Sequence, residues 1–356
     1  MCSATKHRTG WLGIFLVLLM YGTLSTGWAA AADDARPGFD MESLKARLHE
    51  RVQLFLDAAR TREQRLRALE DIVNSDKQVL GRLLEVISNR DEDDELRWAA
   101  AKKLPLTKDV IRQELNVLRN PKDGGAGLRA KLLSDLSQRV RLPHSSELLA
   151  EMHEVAGNLL QDDDGAVRVA AFRFLVPMRD AQALRLVEKG LENPKEALIA
   201  ADEAIQLLDI AGAGNHASAI RPYLDAGEAK VRAAAALALG IDADSHPRLR
   251  NMVADPQQPM EVRLSALRAL SGSDKGFADY ALTLLKRKDL DPEVRKWGIH
   301  RFVGFANYNR ITPSQKKDFL AMLDALATSG ATVSESVALS AKEALAYVRE
   351  SKSFGE

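Results

Sequence analysis

Apolar and polar positions along this chain repeat on a helical period. In the segment Glu228 to Gly240, EAKVRAAAALALG, Val231 can be taken as position 0. Ala235, Ala238 and Leu239 then stand at positions 4, 7 and 8, which share one face of a helix with 3.6 residues per turn. A methyl group at position 4 lets a neighbouring helix approach closely, and the flanking Val and Leu fill the space beside it. The spacing predicts an amphipathic helix that nests against another helix.

The same frame fits elsewhere. Leu96, Val167, Val262 and Val294 are each followed by Arg and by Ala or Gly at position 4. Weaker copies start at Gln64 and Leu128, and copies without the Arg start at Ala200 and Val337. The nine anchors lie 32, 32, 39, 33, 31, 31, 32 and 43 residues apart, and six of these eight intervals fall between 31 and 33. Chance clustering would not hold so narrow a period, so the pattern is an internal repeat. About 32 residues accommodate two short antiparallel helices and two turns. Polar runs such as Asn89–Asp94, Gln161–Gly165, Asp255–Pro259 and Asp289–Pro292 precede anchored helices and supply the turns.

The frame D-x-x-V-R-x-x-A-x-x-A-L-G resembles the second helix of HEAT-type repeats, in particular the short HEAT-like repeats of the phycobilisome-lyase type. The resemblance spans roughly residues 45–350. It implies an all-α solenoid of about nine stacked antiparallel helix pairs, over residues 42–350. Trp, Gly-Tyr and Pro landmarks of tetratricopeptide repeats are missing from the copies, and so is the Thr-Pro-Leu-His turn of ankyrin.

Outside the repeat, residues 1–32 read as a secretory signal peptide: Lys6, His7 and Arg8, an uncharged run from Trp11 to Trp28, then Ala29–Ala32. An uncleaved anchor is the alternative, since about 18 apolar residues can span a bilayer. Residues 33–41 form a polar leader expected to be mobile, and residues 351–356 a short tail. No second apolar run of that length follows. The one cysteine, Cys2, falls inside the expected signal, so the exported chain has no disulfide or thiol chemistry. A cysteine-free exported helical repeat fits a bacterial periplasm or secretion. Composition agrees with stacked helices, being 46% hydrophobic but 5% aromatic. Lys and Arg number 50 against 50 acids; loss of Lys6 and Arg8 leaves 48 against 50, which gives no reason to expect nucleic-acid binding.

Candidate chemistry is limited to surfaces. The Arg after the anchor recurs in seven copies, either as a row gripping anions or as a ladder pairing with acids or helix-end carbonyls of adjacent repeats. Position 6 points away from the core stripe and holds Lys102, Arg173, Arg268 and His300, a basic patch for a partner or a solvated face. Trp98 and Trp297 stand at positions 2 and 3, as partner anchors or as covers over gaps between repeats. The segment Asn307–Arg310 with Tyr308 is a loop that contacts a ligand or only connects. Ser145 or Ser146 could cap the helix beginning at Glu147, and Thr312 with Pro313 could start another.

The sequence lacks a His-Glu-x-x-His pair, a Gly-x-Ser-x-Gly elbow, a phosphate loop and a dinucleotide fingerprint, and its histidines are scattered. No cofactor, catalytic residue or metal ligand is assigned. The expected function is binding of a protein or peptide partner by a non-enzymatic exported solenoid. The resemblance also implies a chromophore-handling lyase or chaperone, and an envelope scaffold is a third reading.

Overall fold

A computed structural model of the chain describes residues 41–70, 72, 77–105, 107–139, 147–308, 311–329 and 333–351. The expected signal peptide, all of the leader but Met41, the Ser145/Ser146 cap and the tail beyond residue 351 lie outside the described residues. The fold is all-α, with no strand among the described residues. It divides into two compact units, split between residues 75 and 76.

The first unit holds α1 (Met41–Leu56) and α2 (Arg62–Glu70), which pack on each other. The second unit continues in neighbouring pairs. These are α3 (Lys77–Ser88) with α4 (Asp94–Lys103), α5 (Lys108–Arg119) with α6 (Ala126–Arg139), and α7 (Leu149–Asn158) with α8 (Gly165–Leu175). α9 (Ala181–Glu192) follows with α10 (Ala201–Gly212). The next pair is a short α11 (Ala217–Ile220), continued as a 3-10 turn over Arg221–Asp225, which packs on α12 (Ala229–Ala238). α13 (His246–Ala254) then packs on α14 (Met260–Ser273), α15 (Phe277–Leu285) on α16 (Pro292–Ala306), and α17 (Pro313–Thr328) on α18 (Glu335–Glu350). The chain tightens at α11 because Pro222 has no amide hydrogen to donate and its ring crowds the preceding turn.

Each anchor begins or precedes the second helix of a pair. Position 4 is buried in every copy, including Ala68, Ala100, Ala171, Ala204, Ala235, Ala266, Gly298 and Ala341. Second helices also touch one another in succession within the second unit: α4 with α6, α6 with α8, α10 with α12, α12 with α14, α14 with α16, and α16 with α18. A small position-4 side chain allows close packing within a pair: a Cβ added at Gly298 would lie 3.0 Å from Leu285 of α15, its own first helix. Larger side chains fill the ends of the layer, where Phe302 and Phe319 stack at 3.9 Å and Phe277 meets Phe305 at 5.3 Å.

Two anchors depart from the frame. Gln64 is exposed because it completes a capping box: its Oε1 accepts from Thr61 N at 3.1 Å while Thr61 Oγ1 accepts from Gln64 N at 3.3 Å. Ala200 is exposed as the residue that precedes α10, with an extended backbone. Burial begins at position 4 in the Ala200 copy and with Arg65 at position 1 in the Gln64 copy. Turn acids act as helix starts elsewhere: Asp93, Asp164 and Asp291 each accept backbone amides of the first turn. Thr312 forms a full capping box with Gln315, with Pro313 in the first turn.

The arginine ladder is structural, with different partners from those the sequence suggested. Arg65, Arg97 and Arg263 reach the last carbonyls of the first helix in their own pair, on Phe55, Ile87 and Val253, rather than an adjacent repeat. Arg295 donates instead to the Arg287 carbonyl, in the loop that follows α15. Arg168 and Arg232 turn to carbonyls five and six residues back, on Asp162, Asp163, Ala226 and Gly227. Three of the ladder do bridge repeats: Arg129 pairs with Asp162, Arg168 also donates to the Leu198 carbonyl at 2.8 Å, and Arg232 donates to Gln258 Oε1 at 3.1 Å. A guanidinium suits this place because its fork satisfies helix-end carbonyls that no backbone amide can reach.

Asp242 shows the pH consequence of such links. Arg221 grips it with two bonds of 2.7 Å, which holds its carboxyl below its ordinary value of 3.8 against the opposing effect of burial. A carboxyl depressed in the fold adds stability above its unfolded value and loses it as pH falls through the folded one. Asp242→Asn should therefore lower the urea unfolding midpoint at neutral pH, and the gap from wild type should close as pH falls below the ordinary carboxyl value of 3.8. A gap that stays constant with pH would contradict this role.

Candidate functional site

The second-helix face of the second unit carries the candidate residues. Position 6 is exposed at Lys102, Arg173, Arg268 and His300, as the frame requires of a row turned from the core. The six candidates do not converge on one place. Trp98, Lys102 and Arg173 line one cavity, and Arg268 and His300 line another.

The first cavity, about 660 Å³, lies across α4, α6 and α8. Trp98 is half-buried in its wall, with Lys131, Ser134 and Gln138 from α6. Its cations are largely engaged. Arg173 makes two bonds of 2.7 and 2.8 Å to Glu203 of α10, and this carboxylate raises the guanidinium's pKa. Lys131 stands 3.5 Å from Glu95. A ligand entering here competes with acids supplied by neighbouring helices.

The second cavity, about 490 Å³, lies between α14 and α16. Arg268 and Ser271 come from α14; His300, Arg301 and Phe305 come from α16; Tyr308 follows that helix and is 76% exposed. Trp297 sits beside it, 38% exposed, with its indole 6.1 Å from the His300 ring in an edge-on arrangement. Its Nε1 donates to Glu293 at 2.9 Å, and the Arg301 guanidinium lies 5.8 Å over its ring. Burial, then repulsion from Arg268, lowers the pKa of Arg301.

Sequence reasoning missed Arg301 because it falls at position 7, which holds core Ala238 and Ala269 in other copies. The long stem there covers the core edge while the guanidinium swings out to the aromatic ring. Lys131 stands at position 3, which holds Trp297 in another copy, and was missed because the candidate basic row lies at position 6. The segment after Phe305 with Tyr308 reaches the cavity rim up to residue 308; residues 309 and 310 lie outside the described part.

Among the described residues, no group of three or more His, Cys, Asp or Glu could hold a metal ion. No helix among them is long and apolar enough to cross a membrane.

No family model matches this chain, and no curated protein matches it. Among solved structures it is similar to an engineered protein, at 16% sequence identity over 85% of this chain and 99% of that one, with a TM-score of 0.41. That likeness is too slight to bear on the fold or on what the chain does.

Proposed function

We propose that this chain is an α-solenoid of HEAT-like helix pairs, exported from a bacterial cytoplasm, that binds a protein or peptide partner along its second-helix face without catalysing a reaction. The observation that carries the reading is the division of labour between two rows. The arginines beside the anchors are turned to carbonyls and acids of the fold, whereas position 6 of the same helices is exposed and borders open cavities. A repeat that commits one basic row to structure and leaves another on a shared face provides an extended surface suited to a polypeptide. Exposed Trp297 and half-buried Trp98 on that face are the kind of side chain that anchors a partner.

Photo-crosslinking tests this. A benzophenone amino acid at Lys131 or His300 should yield a discrete adduct in cells, whereas one at exposed Glu192 of α9, a first helix, should not. Equal labelling at all three positions, or no adduct from the second-helix face, would count against the reading. N-terminal sequencing of the adduct's parent chain gives export its own test: a terminus within Ala30–Asp33 is expected, and an intact Met1 would overturn cleavage.

A further inference from the structure

We propose that the cavity between α14 and α16 is a subsite for acidic side chains of a partner peptide, held by Arg268, His300 and Arg301. It rests on the reading of the second-helix face as a binding surface and names the chemistry that one part of that surface takes.

The first argument is the company the cations keep. Several other guanidiniums on this fold are supplied with carboxylates by neighbouring segments: Arg173 with Glu203, Arg221 with Asp242, Arg250 with Asp274. Arg268 and Arg301 line one cavity, yet among the described residues neither has a carboxylate within ion-pairing distance. Asp209 is the acid whose charge reaches Arg268, and its own carboxyl is pushed up by burial, with Arg268 opposing. Two guanidiniums facing one space repel each other, and a bound anion removes that repulsion.

The second argument is preorganisation. Arg301 is half-buried and lies over the Trp297 ring, whose indole is itself tied to Glu293. A guanidinium stacked on an aromatic loses less freedom when it takes a carboxylate in its fork. His300, edge-on to the same ring, adds a polar group on the same wall.

The third argument is the floor. Gly272 and Gly304 both line the cavity, both are exposed, and a Cβ at either would meet nothing within 4 Å. Neither has a positive φ, so backbone conformation does not require glycine at these helical positions. Glycine inside a helix is less favourable than alanine, so these positions carry a cost that the fold does not require. Bare helix surface between two guanidiniums lets a peptide lie close enough for its side chains to reach both.

Size and surroundings favour a peptide over a single oxyanion or a nucleic acid. A space of about 490 Å³ holds several side chains. Along the rest of the face in the second unit acids stand among the bases, with Glu203 and Glu343 on second helices. A continuous polyanion would meet repulsion there, whereas a short acidic segment would not.

The test uses the full-length chain and a short fluorescein-tagged polyglutamate peptide, followed by anisotropy. Saturable binding is expected, with a polyglutamine peptide of the same length not bound. Arg268→Gln and Arg301→Gln should each weaken it about tenfold. Gly304→Leu should weaken it comparably by filling the floor, with the thermal midpoint not lowered, which separates loss of the site from loss of the fold. Arg185→Gln on α9 should leave binding unchanged. Absence of polyglutamate binding, retention of full affinity in all three cavity variants, or displacement of the peptide by an equal concentration of inorganic phosphate would each overturn the proposal. If crosslinking from Lys131 still captures a partner while polyglutamate is ignored, the acidic subsite fails and the wider binding face stands.

Discussion

Arg97→Ala should cost about 3 kcal/mol of stability, more than removal of any exposed charge on this chain. Arg97 is 1% exposed, the most deeply buried of the ladder arginines. Its Nε and Nη2 both donate to the Ile87 carbonyl, at 3.0 and 2.8 Å, closing the end of α3. Its Nη1 donates to Asp94 at 3.1 Å, and the other oxygen of Asp94 accepts from Gly125 N at 2.8 Å at the start of α6. One side chain therefore ties a first helix, its own second helix and the next second helix. Truncation leaves a cavity and a helix-end carbonyl without its donors. Arg97→Met separates the two costs, since it keeps most of the volume and loses only the polar links; it should fall between wild type and Arg97→Ala. Urea unfolding followed by far-ultraviolet circular dichroism gives the ranking. An Arg97→Ala chain as stable as wild type would return the ladder to the surface role that its sequence pattern also allowed.

That ambiguity shows where the sequence stops being informative. The frame itself was legible because two constraints coincide in one helix: an apolar stripe with period 3.6 and a small residue where a neighbouring axis passes. The stripe alone would fit any amphipathic helix. Recurrence of Ala or Gly at position 4, as in Ala100, Ala171, Ala235 and Gly298, is what pointed to nested pairs, and all four are buried. Partners of polar side chains were not legible, because they lie across the pair, as for Arg97 and Ile87, or about one repeat away, and their distance depends on how helices pack. Arg173 and Glu203 are 30 residues apart, as are Arg168 and the carbonyl of Leu198. Nothing local distinguishes Arg173, held by a carboxylate, from Arg268, which is not, though both occupy position 6. The candidate site was legible as a row of positions. Its division into an engaged cavity and an open one depends on which acids the neighbouring helices bring.

The nesting of second helices can be tested where the backbones of two of them approach closely. Gly240, at position 9 of the frame, follows α12 in the 3-10 turn Leu239–Ile241. A Cβ there would lie 3.0 Å from the Ala269 carbonyl oxygen and 3.1 Å from its Cα and Cβ on α14. Two of those three atoms are backbone, so no flexible side-chain end can yield; the helices must separate. Gly240→Val should therefore cost about 3 kcal/mol, and Ala235→Leu, inserted at a position with no exposure, about 1–3 kcal/mol. Gly81 provides the opposite sign. It lies inside α3 with nothing within 4 Å of an added Cβ, so Gly81→Ala should stabilise by about 0.5–1 kcal/mol through helix propensity and a less flexible unfolded chain. Unfolding midpoints of the three variants discriminate a close helix contact from a general intolerance of glycine or alanine replacement. If Gly240→Val unfolds at the wild-type midpoint, α12 and α14 do not approach as described. Since the position-6 row is aligned by that approach, Gly240→Val also bears on binding: spreading α12 from α14 should weaken the crosslink from His300 more than that from Lys131, which lies on α6 among helices the substitution does not touch.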